Sequence, residues 1–236
     1  MTLEALIFDC DGVLVDTEKD GHRVAFNQAF AAMGLDVQWD VELYGELLAV
    51  AGGKERMAHY FTRAGWPDAA ADRDAFIRKL HTLKTDRFMS IIASGGLPLR
   101  PGVARLIDEA IAAGITLAVC STSNERAVHL VVDTLLGPRR KAAFGGIFAG
   151  DMVPRKKPDP AVYQLACRTL GLSPAACVVV EDSANGLRAA KAAGMPCLVT
   201  VSTYTAAEDF SAADRVVAHL DDGPITLADL RALVKA

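Results

Sequence analysis

The chain has 236 residues, a net charge of −4 and no basic stripe or aromatic-laced basic run, which argues against a nucleic-acid surface. Hydrophobic residues make up 51% and charged residues 23%, the balance of a globular protein with a sizeable core, and no apolar stretch reaches membrane-spanning length. The five cysteines are scattered without a CxxC, and Met-Thr-Leu-Glu lacks the basic start of a signal peptide, so reduced thiols and a cytoplasmic protein are expected.

The first element is the apolar run Ala5-Leu6-Ile7-Phe8, which predicts a buried strand that ends abruptly at Asp9-Cys10-Asp11-Gly12-Val13-Leu14-Val15-Asp16-Thr17-Glu18. Two carboxylates two residues apart at a strand end repel each other, and a hard divalent cation bound by oxygens would offset that repulsion. The pair also suits nucleophile-plus-acid chemistry, with one carboxylate attacking and the other handling the proton. A plain Asp/Gly turn is the bland alternative. A calcium loop is disfavoured, because Gly12 follows Asp11 directly and a strand precedes the pair. Cys10, between the acids, should alternate away from them into the core.

The stretch from Thr17 to Ala93 reads as a helical insert. Phe26, Ala29, Phe30 and Met33 recur at helical spacing within His22–Met33, and the segments 55–64 and 72–92 are amphipathic. Trp39 and Trp66 read as its core. Lys84 and Arg87 are expected on a solvated helix face. Within the insert, Gly52-Gly53-Lys54-Glu55-Arg56 is no Walker A loop, since Leu48 stands where Gly is needed and Glu55 where Ser or Thr is needed. It reads either as a surface turn or as an anion clamp, in which backbone amides with Lys54 and Arg56 hold a phosphate. Hinges near Asp16–Thr17 and Ser94–Gly96 divide the chain into a core domain, 1–16 and 94–236, and a cap domain, 17–93.

Beyond Gly95, helix and strand patterns alternate. Pro101–Ala113 carries a Val103, Leu106, Ile107, Ala110 stripe and stops at Gly114. Ile115–Cys120 is a buried strand. Asn124 starts a helix closed by Gly137, and Gly146–Ala149 is a short strand candidate. Asp159-Pro160 opens a helix that ends at Gly171. Cys177–Val180 is a β-branched strand running into Glu181-Asp182, Ser183 begins an Ala-rich helix, and Cys197–Val201 and Arg215–Ala218 are the last strands. This rhythm implies an α/β fold with a doubly wound, Rossmann-like parallel sheet and the helical cap inserted into it.

Ligands in such sheets bind at the carboxyl ends of the strands. Those ends carry Asp9 and Asp11, then Ser121-Thr122-Ser123-Asn124 leading into a helix N-terminus that suits anions, then Lys157 ahead of a helix, then Glu181-Asp182. Each type has a use in phosphoryl transfer. The acids with a free cation make a magnesium site, Ser121 donates to a phosphoryl oxygen, and Lys157 supplies a compact positive charge.

The set DxDGxLxDT at 9–17, Ser121, Lys157 before Pro158 and VVVEDS around Glu181-Asp182 resembles the haloacid dehalogenase-like (HAD) superfamily. The resemblance implies Asp9 as nucleophile, Asp11 as general acid/base, and Mg²⁺ bound by Asp9, the backbone carbonyl of Asp11 and Asp182, with Glu181 assisting. Dehalogenases of the superfamily lack an acid two residues after the nucleophile, so Asp11 points to phosphate chemistry. Phosphonate-cleaving members use a cap lysine as a Schiff base, and Lys54 beside Glu55 and Arg56 looks more like an anion clamp. Asp16-Thr17-Glu18, Gly52–Met57 and Leu97-Pro98-Leu99-Arg100-Pro101-Gly102 are similar to the CbbY-like group, which is associated with carbon fixation (the Calvin cycle) and hydrolyses xylulose-1,5-bisphosphate to xylulose 5-phosphate. The chain is also similar to the β-phosphoglucomutases, but these keep a histidine where Gly21 stands, with His22 one place on.

Three functions stay open at this point. They are a Mg²⁺-dependent sugar-bisphosphate phosphatase, a phosphosugar mutase, and a catalytically silent binding protein on the same fold. Glu18, Gly53, Lys54, Arg56, Thr122, Ser123 and Asn124 are the expected substrate contacts. A small sugar phosphate is the expected partner, with no nucleic acid and no membrane, and a monomer is expected.

Overall fold

The structure is a computed structural model that describes residues 2–50 and 53–234. In chain order its elements are β1 (Ala5–Phe8), a π-helical stretch Thr17–His22 running into α1 (Arg23–Ala32), α2 (Val41–Leu47), α3 (Gly53–Ala64), α4 (Arg73–Ala93), α5 (Val103–Ala112), β2 (Thr116–Cys120), α6 (Glu125–Val131), α7 (Gly137–Lys141), β3 (Phe144–Phe148), α8 (Ala161–Leu170), β4 (Cys177–Glu181), α9 (Ala184–Ala192), β5 (Cys197–Thr200), β6 (Arg215–Val217) and α10 (Leu227–Leu233). Among the described residues no helix is long and apolar enough to cross a membrane.

The chain divides into two compact units, Met1–Asp16 with Leu97–Ala236, and Thr17–Gly96. The first is built on a six-stranded sheet of order β3-β2-β1-β4-β5-β6, in which every pairing is parallel. Parallel strands with helices on both faces are buried on both sides, which is why β1, β4 and β5 read as continuous apolar runs rather than alternating ones. β1 lies at the centre. Ala5 to Phe8 pair residue for residue with Thr116 to Val119 on one side and with Cys177 to Val180 on the other. The next residues, Asp9, Cys120 and Glu181, therefore come level at the carboxyl edge. One core layer packs Ile7, Ala118, Val179 and Val199 against Tyr163, Ala166, Leu187 and Ala190 of the flanking helices. Each large side chain buried in this way contributes roughly 1.5–3 kcal/mol.

The second unit is helical. Its centre is an aromatic cluster in which Trp39 lies 4.8 Å from Phe26 and 4.9 Å from Phe30, centroid to centroid, and Phe61 lies 5.6 Å from Phe76. The extended segment ahead of α2 is pinned by Asn27, whose amide donates to the Trp39 carbonyl and accepts from its N–H, both at 2.8 Å. Trp39 is buried, whereas Trp66 is only partly so.

Three helices escaped the sequence reading, α2, α7 and α10; the five-residue α7 begins at Gly137, where the helix from Asn124 was expected to close, because Pro138 at its first turn suits a helix start. α2 and α10 are each seven residues long, too short for a helical stripe to stand out, and both are set by Asp and Thr N-caps: Asp40 accepts from Leu43 N–H and Thr226 from Asp229 N–H. The expected solvated position of Lys84 is also corrected. Lys84 is 8% exposed, its ammonium sits 4.6 Å from the Phe26 ring centroid, and it meets His22 Nδ1 at 2.8 Å. Its place on α4 between Leu80 and Phe88 aims it inward. Arg87 is exposed as expected.

Candidate active site

The edge level with Asp9 gathers the charged groups of the first unit. Lys157 is the hub. Its Nζ donates to Asp9 Oδ1 at 2.6 Å, to Glu181 Oε1 at 2.5 Å and to the Cys120 carbonyl at 2.8 Å, with its side chain only 6% exposed. Burial alone would lower the Lys157 pKa, but the carboxylates of Asp9 and Glu181 outweigh it and hold the ammonium above its ordinary value. Glu181 is fully occupied. Lys157 and Tyr163 donate to Oε1, the latter at 2.5 Å, while Asp182 N–H and Ser183 Oγ donate to Oε2.

Asp9, Glu181 and Asp182 are buried, and each places a carboxylate oxygen so that all lie within 4.8 Å of one another. Burial pushes Asp9 up to about 7, with Lys157 opposing and Glu181 and Asp11 adding to the rise. Burial, then Glu181 and Asp9, raise Asp182 well above the usual carboxylate range. One ammonium thus faces three desolvated acids. This hard-oxygen donor set, held apart from the protonated state only at a cost, fits a divalent cation of the Mg²⁺ type. Two glycines leave room for it. Gly12 has φ +79°, and a Cβ there would meet Asp182 Oδ2 at 1.9 Å; a Cβ on Gly186 would meet the Glu181 carboxyl group at 1.9–2.0 Å.

Asp11 stands apart from that trio. Its half-buried carboxylate accepts from Ser123 Oγ. Ser121 is buried, with its N–H donating to the Phe148 carbonyl at 2.9 Å and its Oγ accepting from Ser123 N–H at 3.1 Å. Thr122 and Asn124 are exposed, and Asn124 caps α6 by accepting from Arg126 N–H. Cys10 packs in the core, where burial and then Asp11 and Asp9 hold its thiol above the ordinary range. So strands β1, β2 and β4 and the segment before α8 bring Asp9, Asp11, Ser121, Lys157, Glu181 and Asp182 to one edge of the first unit.

In the second unit, Gly53-Lys54-Glu55-Arg56 is the first turn of α3 rather than a loop, and Gly52 lies outside the described residues. Lys54 is exposed. Arg56 is 8% exposed, its Nε donates to the Leu47 carbonyl at 3.2 Å, and its Nη1 donates to Tyr44 Oη at 2.9 Å. Tyr44 in turn donates to Glu18 Oε2 at 2.6 Å. Glu18, Tyr44 and Arg56 therefore form one chain of hydrogen bonds.

The sequence reading missed Tyr163, Gly12 and Gly186 as parts of the site. Tyr163 had a signal, since it lies one turn into a helix whose start sits beside Lys157, and a buried phenol needs a partner. Gly12 showed only as the turn residue of the first motif and Gly186 not at all, because the need for a bare Cα at each arises from how close Asp182 and Glu181 come.

A family model described as haloacid dehalogenase-like hydrolase matches residues 3–194. A CBBY-like protein of Arabidopsis thaliana is 60% identical over 230 residues, 96% of this chain and 72% of that protein. The solved structure of a mutant CbbY from Rhodobacter sphaeroides in complex with xylulose-(1,5)bisphosphate has a TM-score of 0.79 and 43% identity, covering 100% of both chains. A provisionally assigned β-phosphoglucomutase of Thermotoga maritima has a TM-score of 0.72 and 27% identity, covering 91% of this chain and 94% of that one. The chain belongs to the haloacid dehalogenase-like hydrolase family and is a phosphatase.

Proposed function

We propose that the chain is a Mg²⁺-dependent phosphatase acting through an aspartyl-phosphate on a small sugar bisphosphate, and that xylulose-1,5-bisphosphate, cleaved to xylulose 5-phosphate, is the substrate. The observation that carries the reading is the Lys157 ammonium shared between Asp9 and Glu181, next to Asp182. The CbbY structure with bound xylulose-(1,5)bisphosphate supports the choice of substrate.

Asp9 Oδ attacks phosphorus, the ester P–O bond breaks, and Asp11 protonates the leaving sugar oxygen. Asp11 then takes a proton from the water that attacks the aspartyl-phosphate, which releases inorganic phosphate and restores Asp9. Ser123 holds the Asp11 carboxylate through both steps. Lys157 opposes the burial that raises Asp9 and offers positive charge to the transferring group, and Ser121 supplies a hydroxyl for one phosphoryl oxygen. Asp9, Asp182 and the Asp11 carbonyl would hold Mg²⁺, steadied by Glu181; when bound, the ion neutralises charge on the phosphoryl oxygens. Glu18, Gly53, Lys54, Arg56, Thr122, Ser123 and Asn124 remain the proposed contacts to the rest of the substrate, Lys54 being an exposed cation for a second phosphate.

A mutase is the second reading, favoured by the likeness to a β-phosphoglucomutase and weakened by Gly21 at the histidine position. Turnover of sugar mono- and bisphosphates with Mg²⁺ separates the two. Phosphate release fastest from xylulose-1,5-bisphosphate, falling about 1,000-fold or more in Asp9→Asn, is expected. Isomerisation without phosphate release would support the mutase, and a preference for monophosphates would remove the role given to Lys54.

A further inference from the structure

Arg100 belongs to the Leu97–Gly102 stretch, and its guanidinium lies near enough to Asp16 and Asp182 to interact with their charge, but none of the hydrogen bonds it donates goes to the carboxylate trio. Its guanidinium nevertheless joins three separate parts of the first unit. Nη1 donates to the Gly12 carbonyl and, at 3.1 and 3.2 Å, to the carbonyl and hydroxyl of Thr200; Nη2 donates to the Val201 carbonyl at 2.6 Å and the Ala218 carbonyl at 2.9 Å. The Arg100 N–H donates to the Leu14 carbonyl at 2.9 Å. The loop after β1 is thus clasped to the ends of β5 and β6 by one planar fork.

Gly12 is where this clasp meets the site. Its N–H donates to the Val15 carbonyl at 2.7 Å, and its carbonyl is taken by Arg100, so both polar groups of the residue are fixed. Its Cα then faces Asp182 too closely for any side chain. Moving the Gly12 carbonyl moves the backbone against which the Asp182 carboxylate rests and, three residues back, the Asp9 carboxylate. A lysine could reach one or two of these acceptors but has no fork to span three segments.

We propose that Arg100 is a positioning residue which, through Gly12, sets the separation of Asp9 and Asp182 that a divalent cation needs. This inference rests on the metal-dependent phosphatase reading. Groups of this kind behind a metal site commonly govern affinity by about 10- to 100-fold.

The test is Mn²⁺ binding, with Mn²⁺ standing in for Mg²⁺, followed by the electron spin resonance of the free ion without substrate. The proteins are the full chain, Arg100→Ala, Arg100→Lys and Arg105→Ala, each with its thermal unfolding midpoint. Arg105 is the control, because it makes a comparable clasp to the Leu220 and Ile225 carbonyls at 2.9 and 3.0 Å, with Glu109 and Asp221 rather than Asp9, Glu181 or Asp182 as its acidic partners. Folded Arg100→Ala is expected to bind Mn²⁺ about 10- to 100-fold more weakly than the parent, Arg100→Lys to recover part of the loss, and Arg105→Ala to match the parent. Affinity of Arg100→Ala within about twofold of the parent would overturn the inference, as would an equal loss in Arg105→Ala. If Arg100→Ala does not fold, Arg100→Lys decides, and parent-like affinity in it overturns the inference. A parent that releases phosphate from sugar phosphates but binds no Mn²⁺ also overturns it. A parent without turnover whose Arg100 variants still lose Mn²⁺ would sink the phosphatase reading while the positioning role stands.

Discussion

A methyl group on Gly12 would fall 1.9 Å from Oδ2 of Asp182, so these two residues are in contact across the loop after β1 with nothing to spare. Gly12 also has φ +79°, a conformation that costs any other residue. Gly12→Ala should therefore displace either the loop or the Asp182 carboxylate, and with it the cation site. The expected result is a folded protein with strongly weakened Mn²⁺ binding and little turnover. Titration calorimetry with Mn²⁺ checks it, and parent-like affinity would contradict the close approach.

Lys157→Met removes the ammonium that Asp9 and Glu181 share while keeping much of its volume. Two buried carboxylates then lose their partner. Breaking a buried pair in this way costs about 3–5 kcal/mol, and added Mg²⁺ should return part of it by taking over the charge. Urea denaturation of parent and variant, with chelator and with Mg²⁺, measures both numbers.

Without metal, stability should fall as pH rises. Asp9 moves from 3.8 to about 7 on folding, so between these values the folded chain binds a proton that the unfolded chain does not. Bound protons then exceed those of the unfolded state, the slope of unfolding free energy against pH is negative, and the contribution present below pH 3.8 is lost as pH passes 7. Asp182, also raised, acts in the same direction. Urea midpoints of chelated protein at about pH 5 and pH 8 should differ in that sense, and less so in Asp9→Asn.

Tyr163→Phe separates a hydrogen bond from a ring contact. The phenol donates to Glu181, while the ring lies 5.0 Å from the Lys157 ammonium and is kept in the variant. Loss of one donor to a buried carboxylate should cost about 1–3 kcal/mol in stability. Turnover should fall modestly, because Lys157 still reaches Asp9. A fall as deep as that of Asp9→Asn would give Tyr163 a larger part than this geometry assigns.

Several of these groups were readable before any coordinates. Asp9, Asp11, Ser121, Lys157 and Glu181-Asp182 stand out because each follows a strand or precedes a helix, and strand ends of a parallel sheet share one edge. β1 was legible to the residue, since a strand buried on both faces needs a continuous apolar run and Asp9 breaks it. α2 and α10 were not, because seven residues give too little periodicity and their caps act locally. Lys84 was misplaced for a different reason. A lysine on a helix is normally solvated, and only the packing of Phe26, Phe88 and His22 around it shows that it is not.

Residue types and their spacing along the chain determined the class of fold, the insertion of a helical segment after the first motif and which acids, hydroxyls and amine reach one strand edge, because strand and helix periods and the chemistry of acids and amines are properties of the chain itself. Which groups touch was decided only by tertiary structure. That Tyr163 steadies Glu181, that Arg56 reaches Glu18 through Tyr44, and that Arg100 grips Gly12 across the ends of three strands all depend on distances between residues far apart in the chain, and no local pattern encodes such a distance.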